Sequence, residues 1–135
     1  MDCLFCKIGA RSISSEMIYE DSDTYAFLDI HPRAPGHTVV IPKHHAGNIL
    51  NLDSAHVNSL FNTVKRVTGM LQEALRPAGF TIGINHGLVS GQTVDHIHVH
   101  VIPRFDGDGG TSLHSVVHNP PRESLDIIAK KIRRE

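Results

Sequence analysis

Residues 96–102 read His-Ile-His-Val-His-Val-Ile, so that three histidines alternate with aliphatic residues. Strict alternation is typical of a half-buried β-strand, whose successive side chains point to opposite faces of a sheet. The pattern predicts that His96, His98 and His100 share one face while the aliphatic residues face a core. Neighbouring imidazoles on that face would lie roughly 6.5–7 Å apart, which leaves room for a substrate group between them.

A histidine row on one face is suited to chemistry at neutral pH. The unperturbed pKa of histidine lies near neutrality, so the side chain can act as a nucleophile, a proton donor or a metal ligand. A single histidine on a strand is usually a hydrogen-bonded or solvated bystander, whereas three in strict alternation favour a site. A metal site on this strand is the alternative interpretation.

The composition limits the broad class of protein. A chain of 135 residues that is 40% hydrophobic is long enough for one domain with a single core. The 13 basic and 14 acidic residues give a formal charge of −1, so the overall charge predicts neither nucleic acid nor an anionic membrane as a partner. No apolar run has the length of a membrane span and the N-terminus lacks the pattern of a signal peptide, so we expect a cytoplasmic protein.

Periodicity elsewhere in the chain predicts both strands and helices. Apolar residues recur at helical spacing from the N-cap candidate Asp53 until Pro77, which predicts one long helix. A shorter helix is predicted after Asn119, with two prolines in its first turn. Residues 3–6 are predicted to form a tight turn. Four further segments have the composition of strands: 17–20, 24–28, 37–42 and 80–85.

The run from Gln92 to Arg104 also carries a family resemblance. It reads Gln-Thr-Val-Asp-His-Ile-His-Val-His-Val-Ile-Pro-Arg and resembles the histidine triad (HIT) signature of nucleotide-binding hydrolases. Upstream segments fit the same family in the right order, from about residue 3 to 105. The resemblance implies a single HIT-like domain over 1–135, with a core of about 3–105 and a C-terminal extension of 106–135. The expected fold is α+β: a mostly antiparallel five-stranded sheet with one long helix and a C-terminal helix.

The resemblance predicts the catalytic residues. His98 is expected to be the nucleophile that attacks phosphorus, with its other ring nitrogen held by a backbone carbonyl, that of His96. His100 is expected to contact the α-phosphate or to supply the proton of the leaving group. His37 is expected to lie beside the triad. A structural hydrogen bond at the end of its strand is the alternative role for His37.

A nucleotide pocket is predicted by the same resemblance. An acidic side chain can accept hydrogen bonds from two ribose hydroxyls, and a glycine lets the backbone come close to a phosphate. The residues expected at the base and ribose are Phe27, Asp29 and Ile30, and those expected at the phosphates are Asn85, Gly91, Gln92, Thr93, His98 and His100. The alternative for Asp29 is an ordinary turn residue.

Cys3 and Cys6 form a Cys-x-x-Cys motif. In a reducing compartment this motif is more often half of a metal site or a redox pair than a structural disulfide. The resemblance to bacterial-type family members completes a zinc site with His45 and His96, although the adjacent His44 could replace His45. A site with four protein ligands would be structural. Two reduced, packed cysteines are the alternative.

The resemblance implies a hydrolase that cleaves purine nucleotides at the α-phosphate through a nucleotidyl-His98 intermediate and releases a nucleoside monophosphate such as AMP. Adenosine 5′-phosphoramidates and dinucleoside polyphosphates both stay open as substrates. The second hypothesis is a nucleotide-binding module that acts through protein interaction and has only weak turnover. The family implies a homodimer. We expect no nucleic acid, no membrane partner and no organic cofactor.

Overall fold

Five antiparallel strands form one sheet in a computed structural model that describes residues 2–135. The strands are β1 (Met17–Glu20), β2 (Thr24–Leu28), β3 (Thr38–Pro42), β4 (Gly79–Gly83) and β5 (Val99–Arg104). They lie in the order β1-β2-β3-β5-β4, so that β1 and β4 are the two edges. The predicted α+β fold with a five-stranded antiparallel sheet is confirmed.

Three α-helices accompany the sheet: α1 (Leu4–Gly9), α2 (Ser54–Leu75) and α3 (Leu125–Arg133). Helix α2 begins after Asp53, whose carboxylate accepts the backbone N–H of His56 at 2.9 Å, so the predicted long helix and its N-cap are confirmed. None of the helices within residues 2–135 is long and apolar enough to cross a bilayer.

Two predictions about helices were wrong in detail. The tight turn predicted for residues 3–6 is the start of α1, because the thiol of Cys3 accepts the backbone N–H of Cys6 and caps the helix. Helix α3 begins only after its N-cap Ser124, several residues beyond the predicted cap Asn119. The two prolines at 120 and 121 therefore precede the helix instead of forming its first turn.

The two faces of the sheet carry different layers. Helix α2 covers one face, where its buried residues pack against the inward side chains of β2, β3 and the triad segment: Ala26, Val40, Leu60, Val64, Val67, Leu71, Ile97, Val99 and Val101. The predicted burial of the aliphatic residues between the histidines is thus confirmed. Burial of this layer stabilises the register of the triad segment, because a slip of one residue would move the aliphatic side chains to the other face.

Helix α1 covers the opposite face, the one that carries the triad imidazoles. Its Phe5 and Ile8 pack against residues of β2 and β3: Tyr25, Phe27, Val39 and Ile41. Strand β5 begins only at Val99, so His96 and His98 precede regular strand structure. This irregular start frees the side chain of His96 from strict alternation.

Candidate active site and metal centre

The imidazole of His98 is held in one tautomer by the backbone. Its Nδ1 lies 2.7 Å from the carbonyl oxygen of His96, and because a carbonyl can only accept, Nδ1 carries the proton and donates it. Nε2 therefore has a free lone pair, and no residue within 2–135 hydrogen-bonds to it. The ring is buried, with 7% of its surface exposed. The geometry thus holds the Nε2 lone pair of His98 in one orientation, as a nucleophile would require.

His37 and His100 form a hydrogen-bonded pair beside this ring. The backbone N–H of Arg33 donates to Nδ1 of His37 at 3.0 Å, so the proton of His37 sits on Nε2. Nε2–H then donates to Nδ1 of His100 at 2.9 Å, which leaves the His100 proton on its own Nε2. The rings of His98 and His100 are 5.1 Å apart. The N–H donor of His100 therefore lies near the Nε2 lone pair of His98.

Asp29 lies beside the His37–His100 pair. Its Oδ2 is 3.5 Å from Nε2 of His37 and 3.9 Å from Nδ1 of His100. Its Oδ1 accepts the backbone N–H of His31 at 2.8 Å, which orients the carboxylate. The arrangement lets Asp29 compensate a positive charge on the pair.

Burial sets the charge of the three imidazoles. It lowers the pKa of His98 and of His37, and it lowers the pKa of His100 to about 4, together with the positive charges that His98 and His37 would carry. The carboxylate of Asp29 opposes each of these pKa shifts. The free protein therefore holds neutral imidazoles at pH 7, as a lone-pair nucleophile requires.

The residues predicted to contact the base differ in their exposure to solvent. Phe27 is buried and meets Phe5 edge-on, with ring centroids 5.6 Å apart, whereas Ile30 is 83% exposed. Phe5 also meets the His98 ring edge-on at 4.8 Å. Sequence reasoning missed Phe5, although its position between the two cysteines of the motif was the available signal.

The predicted phosphate loop is organised by Gln92. Its amide donates to the carbonyls of Gly47 and Val94 at 2.8 and 3.1 Å, and its side-chain oxygen accepts the N–H of Gly87 at 2.9 Å. Both amide hydrogens are occupied, so the side chain of Gln92 shapes the loop. Gly91 has φ 103°, which favours glycine, and a Cβ there would lie 3.7 Å from Nδ2 of Asn85. Thr93 is exposed.

A second cluster joins the N-terminus to the triad segment. It contains Cys3, Cys6, His45 and His96, whose nitrogen and sulfur atoms lie within 4.8 Å of one another. Nε2–H of His96 donates to the carbonyl of Pro42 at 2.8 Å, so its Nδ1 lone pair faces the cluster. The free lone pair of His96 is thus on Nδ1, whereas that of His98 is on Nε2.

The spacing in this cluster fits a tetrahedral metal. Around zinc, nitrogen ligands are separated by about 3.4 Å and a nitrogen and a thiolate by about 3.6 Å. Nδ1 of His96 lies 3.2 Å from Nδ1 of His45, 3.4 Å from the sulfur of Cys3 and 3.5 Å from that of Cys6. The donor set of two thiols and two imidazoles also suits zinc. These residues could hold a metal ion.

His45, not His44, is brought to the thiols. The ring of His44 turns away and stacks on His56 at 4.4 Å, with 11° between the planes. Nδ1 of His45 lies 3.3 Å from the sulfur of Cys6. The geometry therefore favours the first of the two ligand sets that the sequence left open.

Comparison with known proteins agrees with this geometry. The HIT domain family matches residues 10–107. The chain belongs to the HIT family. It is 38% identical over 131 residues to an uncharacterized HIT-like protein of Methanocaldococcus jannaschii, covering 97% of this chain and 98% of that one.

Two further relatives inform the function and the fold of this HIT-family chain. An adenosine 5′-monophosphoramidase of Candida albicans is 33% identical over 137 residues, covering 98% of this chain and 90% of the relative. The crystal structure of a HIT family member from Bacillus subtilis has a TM-score of 0.88 at 33% identity, over 99% of this chain and 96% of that one. The predicted family and fold are confirmed, and hydrolases that act on nucleotides are among its relatives.

Proposed function

We propose that this HIT-family protein hydrolyses purine nucleotides at the α-phosphate, with adenosine 5′-phosphoramidates as substrates and AMP as the product. The free Nε2 lone pair of His98 carries this proposal, because its tautomer is fixed by the carbonyl of His96 at 2.7 Å. The name of the Candida albicans relative supports the choice of a phosphoramidate. The predicted nucleotide-binding residues around Phe27 and Asp29 stay part of the proposal.

In the first step, Nε2 of His98 attacks the α-phosphorus and a P–N bond forms to the ring. The anionic substrate and Asp29 favour uptake of a proton at Nδ1 of His100. Nε2–H of His37 then turns from this nitrogen toward Oδ2 of Asp29, which lies 3.5 Å away. His100 passes its Nε2 proton to the leaving nitrogen while the original P–N bond breaks. The amine leaves neutral, and His100 keeps its Nδ1 proton.

In the second step, the same nitrogen of His100 acts as a base. Nε2 of His100 takes a proton from water, whose oxygen attacks the α-phosphorus. The bond between phosphorus and His98 breaks, the electron pair returns to Nε2, and AMP is released. His100 gives its extra proton to solvent and the neutral pair with His37 re-forms.

We further propose that Cys3, Cys6, His45 and His96 hold one zinc ion. Zinc bound there would have four protein ligands and no open position, so it would stabilise the fold instead of binding substrate. His96 would link the N-terminal helix to the segment that carries the nucleophile, because its side chain enters the cluster while its carbonyl orients His98.

A homodimer in the cytoplasm is the proposed state of the protein. Within residues 2–135 the edge strand β4 pairs only with β5, and its Ile82 is 38% exposed. Phe61, Met70 and Leu75 on α2 are also partly exposed, which suits a second copy as partner. The thiols of Cys3 and Cys6 lie beside the imidazoles of His96 and His45, an arrangement that suits reduced cysteines in a reducing compartment. Light scattering on the purified protein tests the dimer.

Turnover separates this proposal from its rivals. The purified protein is given adenosine 5′-phosphoramidate or a dinucleoside polyphosphate, and AMP release is followed by chromatography, with AMP affinity measured in parallel. Release of AMP from the phosphoramidate is expected. Preference for the dinucleoside polyphosphate would make the protein a hydrolase of that class. AMP binding without turnover of either would favour the nucleotide-binding interaction module.

A further inference from the structure

A cavity of about 260 Å³ lies farther along the sheet face that carries the nucleophile. Val99, Val101 and Pro103 of β5 are buried toward α2, so the alternate residues His100, Ile102 and Arg104 face the other side. Ile102 and Arg104 line the cavity. Same-face residues of a strand are about 6.6 Å apart, so the cavity begins one such step beyond His100.

The walls come from three parts of the chain. Thr81 lies beside Ile102 in the neighbouring strand, and the C-terminal extension contributes residues 110–113 and Val116. Arg33, from the loop between β2 and β3, also lines the cavity. The extension thus forms part of a cavity near the nucleophile.

The two arginines of the cavity differ in their partners. The guanidinium of Arg104 is neutralised by Asp108, with Nε 2.7 Å from Oδ2, and it also donates to the carbonyl of Thr111 at 2.7 Å. The guanidinium of Arg33 has no hydrogen bond or ion pair within residues 2–135, where only its backbone N–H is engaged. The cavity therefore has one uncompensated positive charge.

Arg33 also borders a second cavity, of about 470 Å³, together with Asp29 and His37 of the proposed nucleotide site. Its charge is close enough to His37 to help lower the pKa of that imidazole. Arg33 therefore stands between the nucleotide side and the cavity beyond His100.

An in-line displacement sends the leaving group away from the attacking atom. Along this face of the sheet, the ring of His100 lies next to that of His98, and the cavity beside Arg33 follows His100. We infer that this cavity is the leaving-group subsite and that Arg33 selects leaving groups carrying a carboxylate or a phosphate. Arginine is the side chain best suited to both anions. The inference rests on the proposed hydrolysis at the α-phosphate.

Three substrates with the same P–N bond test the subsite. AMP is joined to the nitrogen of β-alanine, of β-alaninamide or of O-phosphoethanolamine, so that the leaving amines differ in charge. Comparison of the β-alanine substrate with the O-phosphoethanolamine substrate shows whether the subsite prefers a carboxylate or a phosphate. For each substrate kcat/KM is measured with wild type, Arg33→Gln and Arg33→Lys. Lys65→Gln is the matched control, since it removes one exposed positive charge from α2, on the opposite face of the sheet.

Wild type is expected to prefer an anionic amine over the carboxamide by roughly 1.5-fold to fivefold, the range of an exposed charge pair. Arg33→Gln should abolish that ratio, while Arg33→Lys should retain part of it and Lys65→Gln all of it. A ratio near one in wild type, or an unchanged ratio in Arg33→Gln, would overturn the subsite. Absence of turnover of all three substrates would overturn the proposed function, and the subsite with it.

Discussion

His96 and His98 are two residues apart on the same segment, yet they present opposite nitrogens to their surroundings. His96 donates Nε2–H to the carbonyl of Pro42 and turns its Nδ1 lone pair to two thiols. His98 donates Nδ1–H to the carbonyl of His96 and leaves Nε2 free beside His100. In each case one backbone carbonyl decides which nitrogen is available, and so whether an imidazole suits a metal or a phosphorus atom.

Their neighbours extend the contrast. Around the fully buried His96 the side chains are potential ligands from the N-terminal segment and from the segment after β3. Around His98 there are two further imidazoles and a carboxylate, and two of these groups, His37 and Asp29, border a cavity. The same histidine-rich segment therefore has a closed end at His96, which we propose to be structural, and an open end at His98, which we propose to be reactive.

The largest effect is expected from removing the reactive ring. His98→Ala should abolish measurable turnover of adenosine 5′-phosphoramidate, because no other lone pair is oriented at the phosphorus, while AMP affinity should stay within about tenfold. The exposed His118 provides a control, since His118→Ala should retain full activity. Turnover of more than a few per cent in His98→Ala would contradict the covalent mechanism.

A smaller loss is expected at the neighbouring proton donor. His100→Ala should slow turnover by about 10²–10⁴-fold, as is typical for loss of a general acid. Substrates with acidic leaving groups need less proton transfer and should be less affected. Steady-state kinetics on AMP esters of phenols with graded acidity measure this dependence. Equal losses on all of them would mean that His100 positions the phosphate.

The features of the fold and site that could be predicted from the sequence depend on local sequence patterns. Alternation over residues 96–102 predicts which side chains are buried because a strand has a period of two, and α2 is long enough for its period of 3.6 to be unmistakable. The family resemblance added the carbonyl of His96 as the partner of His98, which the geometry bears out. The α+β fold follows from these elements.

The unpredictable parts depend on tertiary contacts or on short segments. Six residues of α1 are too few for a helical period, so the Cys-x-x-Cys motif gave no sign of a helix. His44 and His45 are adjacent on an irregular segment, and only the packing decides that His45 faces the thiols. The amide of Gln92 is occupied by carbonyls from Gly47 and Val94, contacts that no local pattern encodes.

Disrupting the closed end should change stability more than activity. Cys3→Ser is expected to release zinc and to lower the melting temperature by several degrees, because metal binding contributes to folding, yet turnover at low temperature should be largely retained. Elemental analysis and thermal unfolding provide the measurements. The matched control is His44→Ala, which should keep its zinc since His44 faces His56. Wild-type protein without zinc, after purification that avoids chelators, would remove the metal site.

The smallest expected effect is the contribution of His100 to the pH dependence of the free energy of unfolding. Burial lowers the pKa of His100 to about 4 in the folded protein, whereas an unfolded histidine titrates near 6.5. Between these values the unfolded chain binds more protons, so the stability that His100 contributes is complete above about pH 6.5 and is lost as the pH falls toward 4. The loss between pH 7.5 and 5 should be on the order of 1–2 kcal/mol. Urea unfolding of wild type and His100→Gln at both pH values isolates this contribution, because the other histidines titrate in both proteins. A smaller pH dependence in His100→Gln is expected, and identical pH dependence would contradict a buried neutral His100.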